Sequence, residues 1–140
     1  MLVEPLAVEF DMRLEHVGVW VKDLEAVKRF YETYLGATAG AKYVNAKKAF
    51  ASYFLTFDSG ARLEIMQKAD IGPRAEGPEV QTLGYAHLAI SVGSEAEVDA
   101  LTERIGADGH RVFDGPRHTG DGCYESVVLD PEGNRIEITA

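Results

Sequence analysis

The chain is predicted to be an α+β domain built from two βαβββ modules, and three observations lead there. A block of about twenty residues occurs twice, both copies change from strand to helix periodicity at the same place, and both end on a similar charged strand. Setting EHVGVWVKDLEAVKRFYETYLGA (15–37) over AHLAISVGSEAEVDALTERIGA (86–107) aligns His16 with His87. Behind each histidine, Val17, Val19 and Val21 alternate in the first copy and Leu88, Ile90 and Val92 in the second, as strand residues covering a core do. Seven residues after each histidine comes a helix start, Asp23 or Ser94, and Ser94 with Glu97 has the spacing of a capping box. Leu24, Val27, Phe30, Tyr31, Tyr34 and Leu35 in one copy, and Val98, Leu101 and Ile105 in the other, recur at helical spacing. Gly36 and Gly106 are expected to end these helices.

Each copy then offers a short strand (near 42–45 and 110–113) and a longer one (50–57 and 123–129). A turn at DSG (58–60) or DPEG (130–133) leads into the last strand. The expected division is an N-terminal arm (1–12), a first module (13–66), a Gly- and Pro-rich linker (67–84) and a second module (85–140). Two curved sheets, each with one helix, would enclose a shared cleft.

Length and composition agree with one globular domain: 140 residues, of which 46% are hydrophobic and 26% charged. A formal net charge of −9 argues against nucleic acid as a partner. The apolar runs are too short to span a membrane, and MLVEPLAVEF lacks the basic start and long apolar stretch of a signal peptide. The single cysteine, Cys123, excludes an internal disulfide and fits a cytoplasmic location.

Strand parity locates the chemistry. With the β-branched and leucine residues turned to the helix, the opposite face carries His16, Gly18 and Trp20 in the first copy and His87, Ala89 and Ser91 in the second. The last strands put Arg62, Glu64 and Met66, and Arg135, Glu137 and Thr139, on that same face. A carboxylate in a half-buried strand is costly unless it is paired or bound to a cation. Two imidazoles and two carboxylates at matching repeat positions suit a divalent ion such as Ni, Zn, Co, Mn or Fe(II).

Other residues with chemical potential surround this set. Trp20, Tyr53 and Met66 could line an apolar pocket, and Arg62, Arg135 and Arg117 could meet an anionic group, although Arg62 and Arg135 could instead pair with Glu64 and Glu137. Glu125 is placed on a strand bordering the cleft, and Arg117 and His118 in a Gly-rich loop that could cover a ligand. A Cys123/His118 nucleophile is disfavoured because no third orienting group is evident.

The segments EHVGVWVKDLEAVKRFYETYLGA, SYFLTFDSGARLEIM, YAHLAISVGSEAEVDAL and ESVVLDPEGNRIEI resemble the vicinal oxygen chelate superfamily of glyoxalases, bleomycin resistance proteins and extradiol dioxygenases. The resemblance covers nearly everything from Arg13 to Ala140. It implies paired βαβββ modules with a metal between them and a homodimer binding a small-molecule substrate. Within that superfamily the chain is most similar to glyoxalase I, which implies four protein ligands, carried here onto His16, Glu64, His87 and Glu137. The implied activity is a lyase or isomerase that moves a proton next to a carbonyl, with Glu137 or Glu64 as the base. An epimerase, a dioxygenase or a noncatalytic drug-binding protein is the alternative implied by the same superfamily.

Overall fold

The computed structural model describes Val3 and residues 12–140, so most of the expected N-terminal arm lies outside the described residues. The first module runs β1 (His16–Trp20), α1 (Leu24–Leu35), β2 (Thr38–Ala39), β3 (Tyr43–Asn45), β4 (Phe50–Thr56) and β5 (Arg62–Lys68), with a 3-10 turn at Ala46–Lys48. The second runs β6 (His87–Ser91), α2 (Glu95–Ala107), β7 (Val112–His118), β8 (Tyr124–Leu129) and β9 (Arg135–Thr139). Strand order is β1-β5-β4-β2 in one sheet, with β3 also on β4, and β6-β9-β8-β7 in the other. In both, the first strand pairs parallel with the last and the remaining pairs are antiparallel. The fold is thus the expected α+β pair of modules.

Local chemistry explains the helix ends. Asp23 caps α1 by accepting from the Ala26 N–H, and Ser94 caps α2 by accepting from the Glu97 N–H. Gly36 takes a left-handed conformation at the end of α1. In the second copy Gly106 lies inside the helix instead. The chain leaves α2 at Asp108 and turns at Gly109, φ +92°. Two further boundaries differ from expectation. β5 continues to Lys68, so the stretch between the modules covers 69–86. β7 extends through Arg117 and His118, which are therefore strand residues and not loop residues. As the outermost strand, β7 can include Pro116, because its missing N–H costs no ladder bond on the free side.

One apolar core joins the modules. Leu24, Val27, Phe30 and Tyr31 of α1, with Leu55, Leu63 and Ile65 beneath them, meet Val98, Ile105, Val128, Ile136 and Ile138 of the second module. The polar centre of this joint is Asp130, which is 4% exposed. Its carboxylate accepts from the Tyr31 hydroxyl (2.9 Å), the Asn134 side chain (2.9 Å) and the backbone N–H groups of Glu132 and Asn134 (2.9 Å each). Beside it, Glu132 Oε1 accepts from the backbone N–H groups of Lys22 (2.8 Å) and Asp23 (2.7 Å) at the start of α1. A turn of the second module thereby fastens the first helix.

Tyr31→Phe removes the hydroxyl donor from a buried carboxylate. It should cost roughly 1.5–3 kcal/mol in urea unfolding at neutral pH. Burial pushes the Asp130 carboxyl above the usual range, against the hydrogen bonds to Asn134, Glu132 and Tyr31 that pull it down. A raised folded-state pKa means that this group's contribution is complete below the ordinary aspartate range and is lost as the pH rises through the raised value. Stability of the wild type relative to Asp130→Asn should therefore increase as the pH is lowered from neutrality, as read from paired denaturation series.

Candidate functional site

The two sheets present the same arrangement on their helix-free faces. In the first, Gly18 lies directly opposite Glu64 and His16 opposite Arg62; in the second, Ala89 is opposite Glu137 and His87 opposite Arg135. Gly18 and Ala89 are thus the small residues directly opposite the two carboxylates. At position 18 even a Cβ would meet the Met66 methyl at 3.0 Å. His16 Nε2 stands 3.9 Å from Glu64 Oε1, and His87 Nε2 stands 3.1 Å from Glu137 Oε1. The histidine side chains are about two-fifths exposed, the glutamates about one-fifth.

These spacings suit shared coordination. Two donors each about 2.1 Å from one ion lie roughly 3.0 Å apart at a right angle and roughly 3.4 Å apart at the tetrahedral angle. The second pair already has this separation, and the first needs a side-chain adjustment of under about an ångström. Among the described residues, no three His, Cys, Asp or Glu side chains come together in one chain as a metal-binding group. Each sheet thus carries half of the expected donor set, and the two halves do not meet within one chain.

The surroundings of the first pair orient it. His16 Nδ1 is 3.2 Å from Glu15 Oε1, leaving Nε2 turned toward Glu64, and the His16 ring stands edge-on to Phe54. Glu15 is in turn held by Arg62, whose Nε donates at 2.9 Å, and the Arg62 guanidinium keeps the Glu15 carboxyl down at about 2. Arg62 lies over the Phe54 ring, and Arg135 lies over Phe113 while donating to the Pro78 carbonyl at 2.9 Å. Both arginines are therefore committed to the protein, and Arg62 pairs with Glu15 and not with Glu64. Sequence reading missed Glu15 and Phe54. The signal for Glu15 was an acid immediately before the histidine, while Phe54 follows only from its register opposite Glu64.

Glu125 lies on the same face of the second sheet as Glu137, opposite Arg117 and Thr139. Burial, with the neighbouring charge of Glu137, raises its carboxyl above the usual range. Arg117 is tied to Asp114, Nε to Oδ2 at 2.7 Å. His118 turns toward Glu95 (3.8 Å) and Tyr124, and Cys123 sits exposed in the turn before β8.

Trp20 and Met66 face each other on the helix-free side, as expected. Tyr53 does not join them. Its partner on β5 is Ile65, it is 8% exposed, and its hydroxyl donates to Glu25 at 2.8 Å on the helix side. Trp20 instead meets Phe50 edge-on, at the mouth of a cavity of about 800 Å³. A second cavity, about 380 Å³, lies between β1, β6 and the inter-module stretch.

Paired βαβββ modules, each laying one helix on a mixed sheet, define a class of small two-module α+β proteins. The chain belongs to the Glyoxalase/Bleomycin resistance protein/Dioxygenase superfamily, whose family model matches residues 13–138. It is 31% identical over 132 residues to the uncharacterized protein YqjT of Bacillus subtilis (strain 168), covering 91% of this chain and 98% of that one. A possible glyoxalase from Bacillus cereus superposes with a TM-score of 0.69 at 28% identity, covering 93% of this chain and 100% of the other. The trypanothione-dependent glyoxalase I of Leishmania major shares the fold, with a TM-score of 0.72 at 22% identity over 92% of this chain and 86% of that one. No helix among the described residues is long and apolar enough to cross a membrane.

Because Tyr53 belongs to the helix side, Tyr53→Phe should lower the urea midpoint slightly and leave the metal content of the purified protein unchanged, as measured by elemental analysis.

Proposed function

We propose that this protein is a metal-dependent enzyme of the glyoxalase type. It would move a proton between neighbouring carbons beside the carbonyl of a small α-oxo or α-hydroxy compound or its thiol adduct. The observation that supports this most directly is the repeated His–Glu pair at equivalent register positions of both sheets. Imidazole and carboxylate donors suit Ni, Zn, Co, Mn or Fe(II).

In this reading the complete donor set forms across two copies, His16 and Glu64 of one with His87 and Glu137 of the partner subunit. The exposed edges support it. β1 and β6 end their sheets, and Leu14 ahead of β1 and Leu83 and Tyr85 ahead of β6 are strongly exposed apolar residues, suited to burial against a second copy.

His16, Glu64, His87 and Glu137 would hold a divalent ion, which would supply Lewis acidity to a carbonyl substrate. The remaining work falls to the chain. His16 and His87 hold the site through Nε2, with Glu15 fixing the His16 ring from behind. Glu137 is assigned as the base: one carboxylate oxygen takes the proton from the carbon next to the carbonyl and returns it to the neighbouring carbon.

Protein purified without chelator from metal-replete growth should carry a stoichiometric divalent ion, and His87→Ala should lose most of it. Absence of that ion in the wild type would remove the catalytic reading and favour a noncatalytic small-molecule binder. With metal loaded, formation of S-lactoylglutathione from methylglyoxal and glutathione tests the substrate, and Glu137→Gln should reduce turnover at least about a hundredfold. If Glu64→Gln gives that loss and Glu137→Gln does not, the base is Glu64. Sedimentation should show a dimer, whereas a monomer with full metal content would overturn the shared site.

A further inference from the structure

The cavity of about 800 Å³ lies at the far end of the face that carries His16 and Glu64. β1 leads to it through His16, Gly18 and Trp20, and β5 through Glu64, Met66 and Lys68. Its walls combine aromatic surface with positive charge. Trp20 and Phe50 both line it, edge-on to each other with ring centroids 6.1 Å apart. Trp20 is 43% exposed, a large apolar surface for a residue in a recess.

The chain as a whole carries a net charge of −9. The described residues lining this cavity nevertheless include Lys22, Lys68 and Arg74 against one carboxylate, Glu132. Glu132 is already turned to the backbone N–H groups of Lys22 and Asp23, which absorb much of its charge. Arg74 is spent on the Gly133 carbonyl and the Asn134 side chain. Lys68 is 3.6 Å from Asp70, but Asp70 is 71% exposed and that pair is screened by water. Lys47 and Lys48 in the 3-10 turn add positive charge beside the rim. An acidic protein has thus gathered lysines around a half-open aromatic slot.

We infer that this cavity is a substrate subsite for an aromatic ring bearing a carboxylate, the ring lying on Trp20 and Phe50 and the anion reaching Lys68 and Lys22. The inference rests on the reading of His16 and Glu64 as the reacting end, and it narrows the substrate class. Lys68 is four residues beyond Glu64 on β5, about 13 Å along the strand, and Trp20 is opposite the residue midway. The substrate would be a carbonyl compound with its ring roughly 7 Å from the reacting carbon and its carboxylate about 6 Å further on. Between these points Gly18 and Met66 form a floor without charge.

Trp20 is the only tryptophan in the chain, so its fluorescence reports this cavity alone. Titration with 3-phenylpropanoate should change that emission saturably, with a dissociation constant at least tenfold below those of propanoate, which lacks the ring, and 3-phenylpropan-1-ol, which lacks the charge. Lys68→Glu, and independently Lys22→Glu, should weaken 3-phenylpropanoate at least tenfold and leave 3-phenylpropan-1-ol unchanged. The inference is overturned if emission does not saturate, if propanoate binds equally well, or if neither lysine variant alters the anion's affinity. Metal-stripped protein should bind the probe as tightly as metal-loaded protein. Probe binding without any stoichiometric metal would sink the catalytic reading alone, and metal with turnover but no probe binding would sink the subsite alone.

Discussion

Each carboxylate of the candidate site stands where it does because the first strand of its module lies parallel to the last in a fixed register. Alternation in β5 sends Leu63 and Ile65 into the core, where they are 2% and 0% exposed, and this forces Glu64 onto the open face. The same holds for Ile136 and Ile138 around Glu137. A slip of one residue would bury two glutamate carboxylates under the helices and expose four core side chains, a change that no local contact could offset. The apolar residues therefore hold the charged ones in place. The histidines follow, since β1 and β6 are aligned to β5 and β9 by the same ladders.

This dependence explains what could be read from the chain alone. The periods of β1, β5, β6 and β9 are strong, and parity along them was enough to put His16, Glu64, His87 and Glu137 on matching faces. Tyr53 was misplaced because its orientation is set by antiparallel pairing with Ile65, and register across a hairpin depends on the turn geometry at 58–60. β7 was cut short because it runs on through Gly115 and Pro116, residue types that strands ordinarily avoid. In the folded chain, shifts in register around Asp114 absorb them, and Glu125 O lies 2.8 Å from where a Cβ at 115 would be. Gly106 misled for the opposite reason: the core contact of Ile105 keeps the helix going past it.

The separation of the two His–Glu pairs was the least legible feature. Each pair is determined within its own module, over a local repeat. The distance between pairs depends on how α1 packs on the turn at 130–134 and on the path of 69–86, and neither has a signature in periodicity. The aromatic and basic cavity was hidden similarly, since Trp20, Phe50 and Lys68 come from three strand ends that meet only after the sheet has formed.

Glu132 holds the backbone ahead of α1, whereas the first module reaches the helix of the second at its far end, where the Tyr34 hydroxyl donates to Asp108 at 2.7 Å. The two halves are not equivalent here: the second supplies a backbone clasp and the first receives it. The first half, produced alone, would lack both that clasp and the partner of the Tyr31 hydroxyl. The two modules accordingly share one core and one set of polar contacts, and the internal symmetry of the open faces does not extend to how the modules hold each other.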